Sequence, residues 1–386
     1  MIPSDWQEVA RAIHGSGRQM VIAVTGGGTG ALAALLQTPG ASRSILEAVV
    51  PYSLAALIDW IGGKPDQACS DATARAMAMA AFMRSRELAP EVDVEKLIGV
   101  GCTASLATDR PKRGARRVHL AIQQFDATYV ANYSLSHLHA GRAEDEQATA
   151  ELILSRVAAT CRVDALAIGP PDSVGNGVVA PDEQAQVLLG QRSCTVLRAG
   201  SDNDYFDEAD IPAIRLLFPG AFNPQHAGHV RMAEIAERKI GATATWELSI
   251  TNVDKPPLDY MTIDERVEAL RLAAPDRLIA LTRASTFREK AELFPGATFI
   301  VGADTVLRIA DPRYYGGDVA KRDQAITAIG GRGCRFLVFG RELDGRFTTL
   351  DDLNVPESLR RLCDGVPATE FREDVSSTEL RQGGDI

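Results

Sequence analysis

The ten residues Gly220-Ala221-Phe222-Asn223-Pro224-Gln225-His226-Ala227-Gly228-His229 gather more chemistry than any other stretch of the chain. The apolar run "IRLLF" ahead of them reads as a buried strand, and "HVRMAEIAERKIGA" behind them reads as a helix. Two imidazoles three residues apart therefore stand at a helix N-terminus, where unpaired backbone N–H groups and the positive end of the helix dipole already favour an anion. Both rings can donate to a phosphate chain. Gly220 and Gly228 let a ligand come close to the backbone, and Pro224 restrains the entry turn. Near the C-terminus lies Val375-Ser376-Ser377-Thr378-Glu379-Leu380-Arg381, in which Ser376 and Glu379 read locally as a capping box opening a short helix, with Arg381 on its exposed turn.

These two stretches resemble the paired signatures of the HxGH-type nucleotidyltransferase superfamily, GxFxPxHxGH and ISSTxIR. They occur in the family's order and at a separation suited to one domain, with Val375 and Leu380 in place of isoleucines. Gly302-Ala303-Asp304, closing the run "ATFIVGAD", is similar to the GxD of the nicotinamide- and nicotinate-mononucleotide adenylyltransferases. Trp246–Leu258 is similar to their segment between a strand-end Glu and a Pro-rich loop, with Lys255 as a phosphate ligand. The resemblance implies a Rossmann-like domain with a parallel sheet whose ligand loops sit at the carboxyl ends of the strands. It makes His226, His229 and Arg381 the stabilisers of charge. Gly220, Phe222, Gly228, Lys255, Gly302, Asp304, Ser377 and Thr378 then bind the nucleotide, and no residue is assigned to a metal.

The implied reaction is attack by a phosphate monoester, nicotinamide or nicotinate mononucleotide, on the α-phosphorus of ATP, releasing pyrophosphate. Both reacting groups are anionic, so alignment and charge stabilisation carry the catalysis, with Mg²⁺ held mainly by the ATP phosphates. Tyr314 and Tyr315 either stack a nicotinate-type ring or pack on a core edge. Two alternatives stay open: transfer to another acceptor such as phosphopantetheine or a phosphorylated alcohol, with CTP as a second donor, and a nucleotide-binding regulator without turnover.

In the first half, "AVTGGGTGALA" spaces its glycines as GxGxG rather than GxGxxG, and no GK[ST] follows. With "LLQTPGAS", "VVPYS" and "LIGVGCTA", the region Val21–Ile122 resembles the C-terminal domain of the CinA family. That family deamidates nicotinamide mononucleotide with a serine in an ESCTGG loop. Here Thr25-Gly26-Gly27-Gly28-Thr29 has no serine or cysteine, and Leu57 stands where the family usually has a lysine. The expectation is a domain without hydrolysis, which binds a nucleotide phosphate weakly at the start of "ALAALL" or builds a homo-oligomer.

The elements that position these residues alternate strand and helix in both halves, which predicts a two-domain α/β protein. Residues 1–203 form the CinA-like domain, 204–212 an acidic linker and 213–386 the nucleotidyltransferase domain. A net charge of −10 argues against a duplex nucleic-acid binder, so the partners are small nucleotides. Six scattered cysteines, no signal peptide and no long apolar run predict a cytoplasmic protein without membrane contact. The run Arg110, Lys112, Arg113, Arg116, Arg117 reads as a solvated basic face, and the turn-rich "GPPDSVGNGVVAPDE" (Gly169–Glu183) shows no chemistry.

Overall fold

Glycines at alternate positions of one strand, facing a helix rich in alanine, let backbone pack on backbone, and this sets the first half of the molecule. A computed structural model of the chain describes residues 2–109, 114–135, 141–163, 173–198, 204–251, 256–343 and 345–372. These fall into two compact units: Met1–Ala180 with Asp254–Thr262, and Pro181–Val253 with Ile263–Ile386.

In the first unit, β1 (Gln19–Thr25) lies parallel to β2 (Ile45–Val49) and to β3 (Leu97–Ser105). The sheet continues antiparallel through β4 (Arg117–Gln123), β5 (Ala127–Ser134) and β6 (Val174–Val179), giving the order β2-β1-β3-β4-β5-β6. Helices α1 (Ser4–Gly15), α2 (Thr29–Gln37) and α5 (Arg142–Thr160) bury Trp6, Ile13, Leu35 and Val157 with Ile22, Val100 and Leu120 of the sheet. On the opposite face, α3 (Leu54–Ile61) and α4 (Asp71–Leu88) bury Leu57, Ala74 and Ala78. A Cβ on Gly99 would come within 2.2 Å of Ala78 O, and one on Gly101 within 2.4 Å of Ala74 O, so α4 rests its backbone directly on β3.

The second unit has a seven-stranded sheet. Its members are β7 (Cys194–Arg198), β8 (Leu216–Pro219), β9 (Thr245–Ser249), β10 (Leu278–Thr282), β11 (Thr298–Gly302), β12 (Arg335–Phe339) and β15 (Cys363–Gly365). The order is β15-β12-β11-β8-β9-β10-β7, and every pairing is parallel except β7 with β10. The order reverses between β8 and β11, and the crevice at the carboxyl ends of such a strand pair is where open α/β sheets bind ligands. The remaining elements are the hairpin β13 (Arg341–Leu343) and β14 (Arg346–Thr348), with α6 (Asp182–Leu189), α7 (Ala227–Ile240), α8 (Tyr260–Ala273), α9 (Phe287–Leu293), α10 (Ala303–Ala310), α11 (Val319–Gly331) and α12 (Glu357–Arg360). The core is built on Phe299, Phe336, Val301, Ile326 and Ile329.

The mixed α/β class with two sheets agrees with the sequence reading, but the boundaries differ from it. Asp182–Arg198, expected in the first domain, lies in the second unit, because β7 adds its ladder to β10 with Leu197 opposite Ile279. Asp254–Thr262, expected in the second, is counted with the first, where Asp259 pairs with Arg75 at 3.2 Å and the Tyr260 N–H donates to Thr128 Oγ1 at 3.1 Å. No helix among the described residues is long and apolar enough to cross a membrane. Gly101→Val places three carbons against the α4 backbone and is expected to lower the stability of the first unit by about 3 kcal/mol, read from the urea unfolding midpoint.

Candidate active site

The loop after β8 is shaped by rings. Phe222 has φ of +46°, a left-handed backbone that costs a phenylalanine roughly 1–3 kcal/mol. Its ring is buried edge-on against Trp246 at 5.1 Å, His229 at 5.3 Å and Phe218 at 5.6 Å. A Cβ on Gly220 would stand 2.6 Å from that ring, so only glycine fits beneath it. The Gly220 N–H donates to Glu247 O at 3.0 Å, tying the loop to β9, and the Asn223–Pro224 peptide is cis.

The chain then enters α7 with His226 at the N-cap. The His226 N–H donates to His229 Nδ1 at 3.2 Å, the His229 N–H donates to His226 O at 2.9 Å, and the two rings stack with centroids 3.8 Å apart. Because Nδ1 of His229 accepts, the ring proton sits on Nε2, which is left as its donor. Burial, then the neighbouring His226, then Arg341 depress the His229 pKa to about 3. His229 is therefore neutral at pH 7, and its expected part as a charge stabiliser becomes that of a neutral N–H donor.

Across the reversal point, Gly302 caps α10, and a Cβ there would meet Asp304 Oδ1 at 2.5 Å. The carboxylate thus folds over the strand end. Its Oδ2 lies 3.4 Å from Arg308 and its Oδ1 3.5 Å from Arg341, while Oδ1 is buried without a hydrogen-bond donor. Arg341 acts electrostatically on both His229 and Asp304 and was not foreseen. The only trace in the sequence is its place after "FLVFG", beyond a strand that pairs with β11. Arg266, which donates to Ala221 O at 3.1 Å, was also missed. Lys255, Ser377, Thr378 and Arg381 lie outside the described residues. The last described residues, Phe371 and Arg372, pack on Phe339 at 5.1 Å and over Phe347 at 5.3 Å. Tyr314 is exposed, and the Tyr315 hydroxyl donates to Ile309 O at 3.1 Å.

Behind the loop, Lys290 spends all three ammonium protons on buried acceptors at 2.7 Å: both carboxylate oxygens of Glu247 and Ala284 O. The Thr282 hydroxyl donates to the same carboxylate. Sequence reading saw Glu247 only as a strand-end residue.

In the first unit, the N-terminus of α2 already holds an anion. The Glu146 carboxylate of α5 accepts from the Gly28 N–H at 2.9 Å, the Gly30 N–H at 3.0 Å and the Thr29 hydroxyl at 2.9 Å. It stands where the sequence reading placed a weakly bound phosphate, and it caps the helix in that phosphate's stead. The Thr25 hydroxyl is buried and donates to Pro51 O at 3.0 Å.

Removing one member of a buried ion pair leaves the other charge unpaired, at a cost of about 3–5 kcal/mol. Lys290→Met is expected to destabilise the second unit by that amount in urea unfolding, and adding Glu247→Leu is expected to restore most of it.

Residues 217–383 match the family model described as cytidylyltransferase-like. A provisionally named nicotinamide mononucleotide adenylyltransferase of Schizosaccharomyces pombe is 28% identical over 177 residues, 43% of this chain and 68% of that protein. A provisionally named nicotinate-nucleotide adenylyltransferase of Agrobacterium fabrum is 36% identical over 67 residues, 17% of this chain and 36% of that one, so the chain matches about a third of its length. Among solved structures, the competence/damage inducible protein CihA of Agrobacterium tumefaciens is 23% identical, covering 42% of this chain and 94% of its own, with a TM-score of 0.33. The competence or damage-inducible protein of Enterobacter asburiae is 19% identical, covering 41% and 99%, with a TM-score of 0.34. Over residues 217–383, then, the chain carries a cytidylyltransferase-like domain of the nucleotidyltransferase kind.

Proposed function

We propose that the second unit transfers an adenylyl group from ATP to nicotinamide or nicotinate mononucleotide and releases pyrophosphate. The observation that carries this reading is the stacked His226–His229 pair at the start of α7, in the connection that follows β8, a strand bordering the reversal of sheet order, with Arg341 acting electrostatically on His229. The names of the two adenylyltransferase relatives support the choice of acceptor.

In this reading the first-turn N–H groups of α7 and the Nε2–H of His229 hydrogen-bond the polyphosphate, and Arg341 supplies positive charge. Asp304 Oδ1, an acceptor lacking a donor, takes a hydroxyl or N–H of the nucleotide. Attacking and leaving groups are both phosphate oxygens, so no protein nucleophile is needed and alignment dominates. Mg²⁺ enters on the ATP phosphates and neutralises their charge. Among the described residues no group of three or more His, Cys, Asp or Glu side chains is placed to cage a cation, so the ion would be held by the substrate phosphates with Asp304 nearby.

We infer further that the first unit does not hydrolyse nicotinamide mononucleotide, since Thr25 is buried in a bond to Pro51 O and Thr29 is bound to the capping Glu146. Full-length protein incubated with nicotinamide mononucleotide is expected to release no ammonia. Sustained release that a Thr29→Ala variant abolishes would reverse this.

Pyrophosphate release, measured with ATP or CTP against nicotinamide mononucleotide, nicotinate mononucleotide, phosphopantetheine and a phosphorylated alcohol, is expected with ATP and one of the first two. His229→Ala is expected to lower kcat by on the order of 10²–10³. A protonated His229 would lose activity as pH rises through its pKa. With that pKa near 3 the ring stays neutral, so kcat should show no such loss between pH 5.5 and 8.

A further inference from the structure

Ser173, Gly175 and Asn176, in the turn-rich segment that showed no chemistry as sequence, border a cavity of about 570 Å³ in the first unit, within the size range of small-molecule sites. Its floor is the apolar face of the sheet, Leu120 and Ile122 of β4 with Ala131 of β5. The edge strand β6 sets Gly175 opposite Ala131 and Gly177 opposite Tyr129, so between Ser173 and Val179 it offers no side chain to this face. At Gly177 the Tyr129 ring takes the vacant place, 2.3 Å from where a Cβ would stand, and becomes a wall of the cavity. At Gly175 the space stays open, and a Cβ would reach the Arg156 guanidinium at 3.9 Å.

That guanidinium is fixed in place, donating to Ser173 Oγ at 2.5 Å. Arg162, just past the end of α5, also lines the cavity and holds φ at +53°, a conformation that disfavours any residue but glycine, asparagine or aspartate. Among the described residues neither arginine is paired with a carboxylate. Two cations with no carboxylate partner among the described residues, over an apolar floor and beside an aromatic wall, suit an organic anion.

We propose that this cavity binds a small organic anion of up to mononucleotide size, its body lying on Leu120, Ile122 and Ala131 and its phosphomonoester or carboxylate held by Arg156 and Arg162. The site lies at the opposite end of α5 from Glu146 and is independent of the adenylyl-transfer reading.

The test is calorimetric titration of the full-length protein with adenosine 5′-monophosphate, bearing a phosphomonoester, and with nicotinate, bearing a carboxylate. At least one probe is expected to bind, and which one identifies the head group. Arg156→Met is expected to weaken that binding at least 10-fold, as loss of a charge-assisted hydrogen bond does. Gly175→Val fills the cavity while keeping both arginines and is expected to abolish it. The nearest atom a Cβ there meets is the backbone Val130 O at 3.2 Å, a tight contact that needs the strand to give slightly, and an unchanged unfolding temperature is the check that it does. Pyrophosphate-release turnover, if the second unit shows it, should be unaltered in both variants. Neither probe binding to the unmodified protein, or a binding constant that Gly175→Val leaves unchanged, overturns the proposal.

Discussion

Left-handed backbone at a phenylalanine persists only where packing over-determines it, and Phe222 is held by Trp246, Phe218 and His229 on three sides of its ring. Everything that follows in the loop depends on this. With Phe222 turned inward the chain reverses over Gly220, places His226 at the N-cap and stacks it on His229. The aromatic cluster performs two tasks at once, because the rings that fix the backbone also bury the imidazole. That burial lowers the His229 pKa, and the backbone donor on Nδ1 selects the tautomer. The N-terminus of α7 is thereby furnished with a donor whose protonation does not vary near neutral pH.

Charge is disposed in layers around this loop. Behind it, Glu247 and Lys290 neutralise each other in the core and fill each other's hydrogen-bonding capacity. A buried pair of this kind contributes position more than net stability, and here the main chain of the same glutamate accepts from Gly220. In front, Arg341 and Asp304 are joined loosely at 3.5 Å, and Asp304 Oδ1 is buried without a hydrogen-bond donor.

Glycine does three different jobs in the first unit. Gly99 and Gly101 let α4 lie on β3, Gly26 and Gly28 bend the loop before α2 with φ of +79° and +93°, and Gly175 and Gly177 empty one face of an edge strand. Only the second of these resembles a nucleotide loop in the sequence, and it is the one that the chain's own Glu146 closes.

The sequence by itself determined what local spacing can carry. The strand–loop–helix around His226 and His229, the strand-end Gly302–Asp304 and the α/β class were legible because each rests on residues within one or two turns of each other. The charge state of His229 was not, since beyond its neighbour His226 it comes from burial in the packed chain and from Arg341, which belongs to a distant segment. Arg341 beside Asp304, Lys290 on Glu247 and Glu146 on Gly28 join positions 37, 43 and 118 residues apart, and no periodicity records such a pairing. The unit boundary failed for the same reason: the acidic stretch after β7 looks like a linker, yet β7 itself belongs to the second sheet because its partner, β10, comes some eighty residues later. Hydrogen-bond partners and burial are properties of the packed chain, and tertiary structure alone decides them.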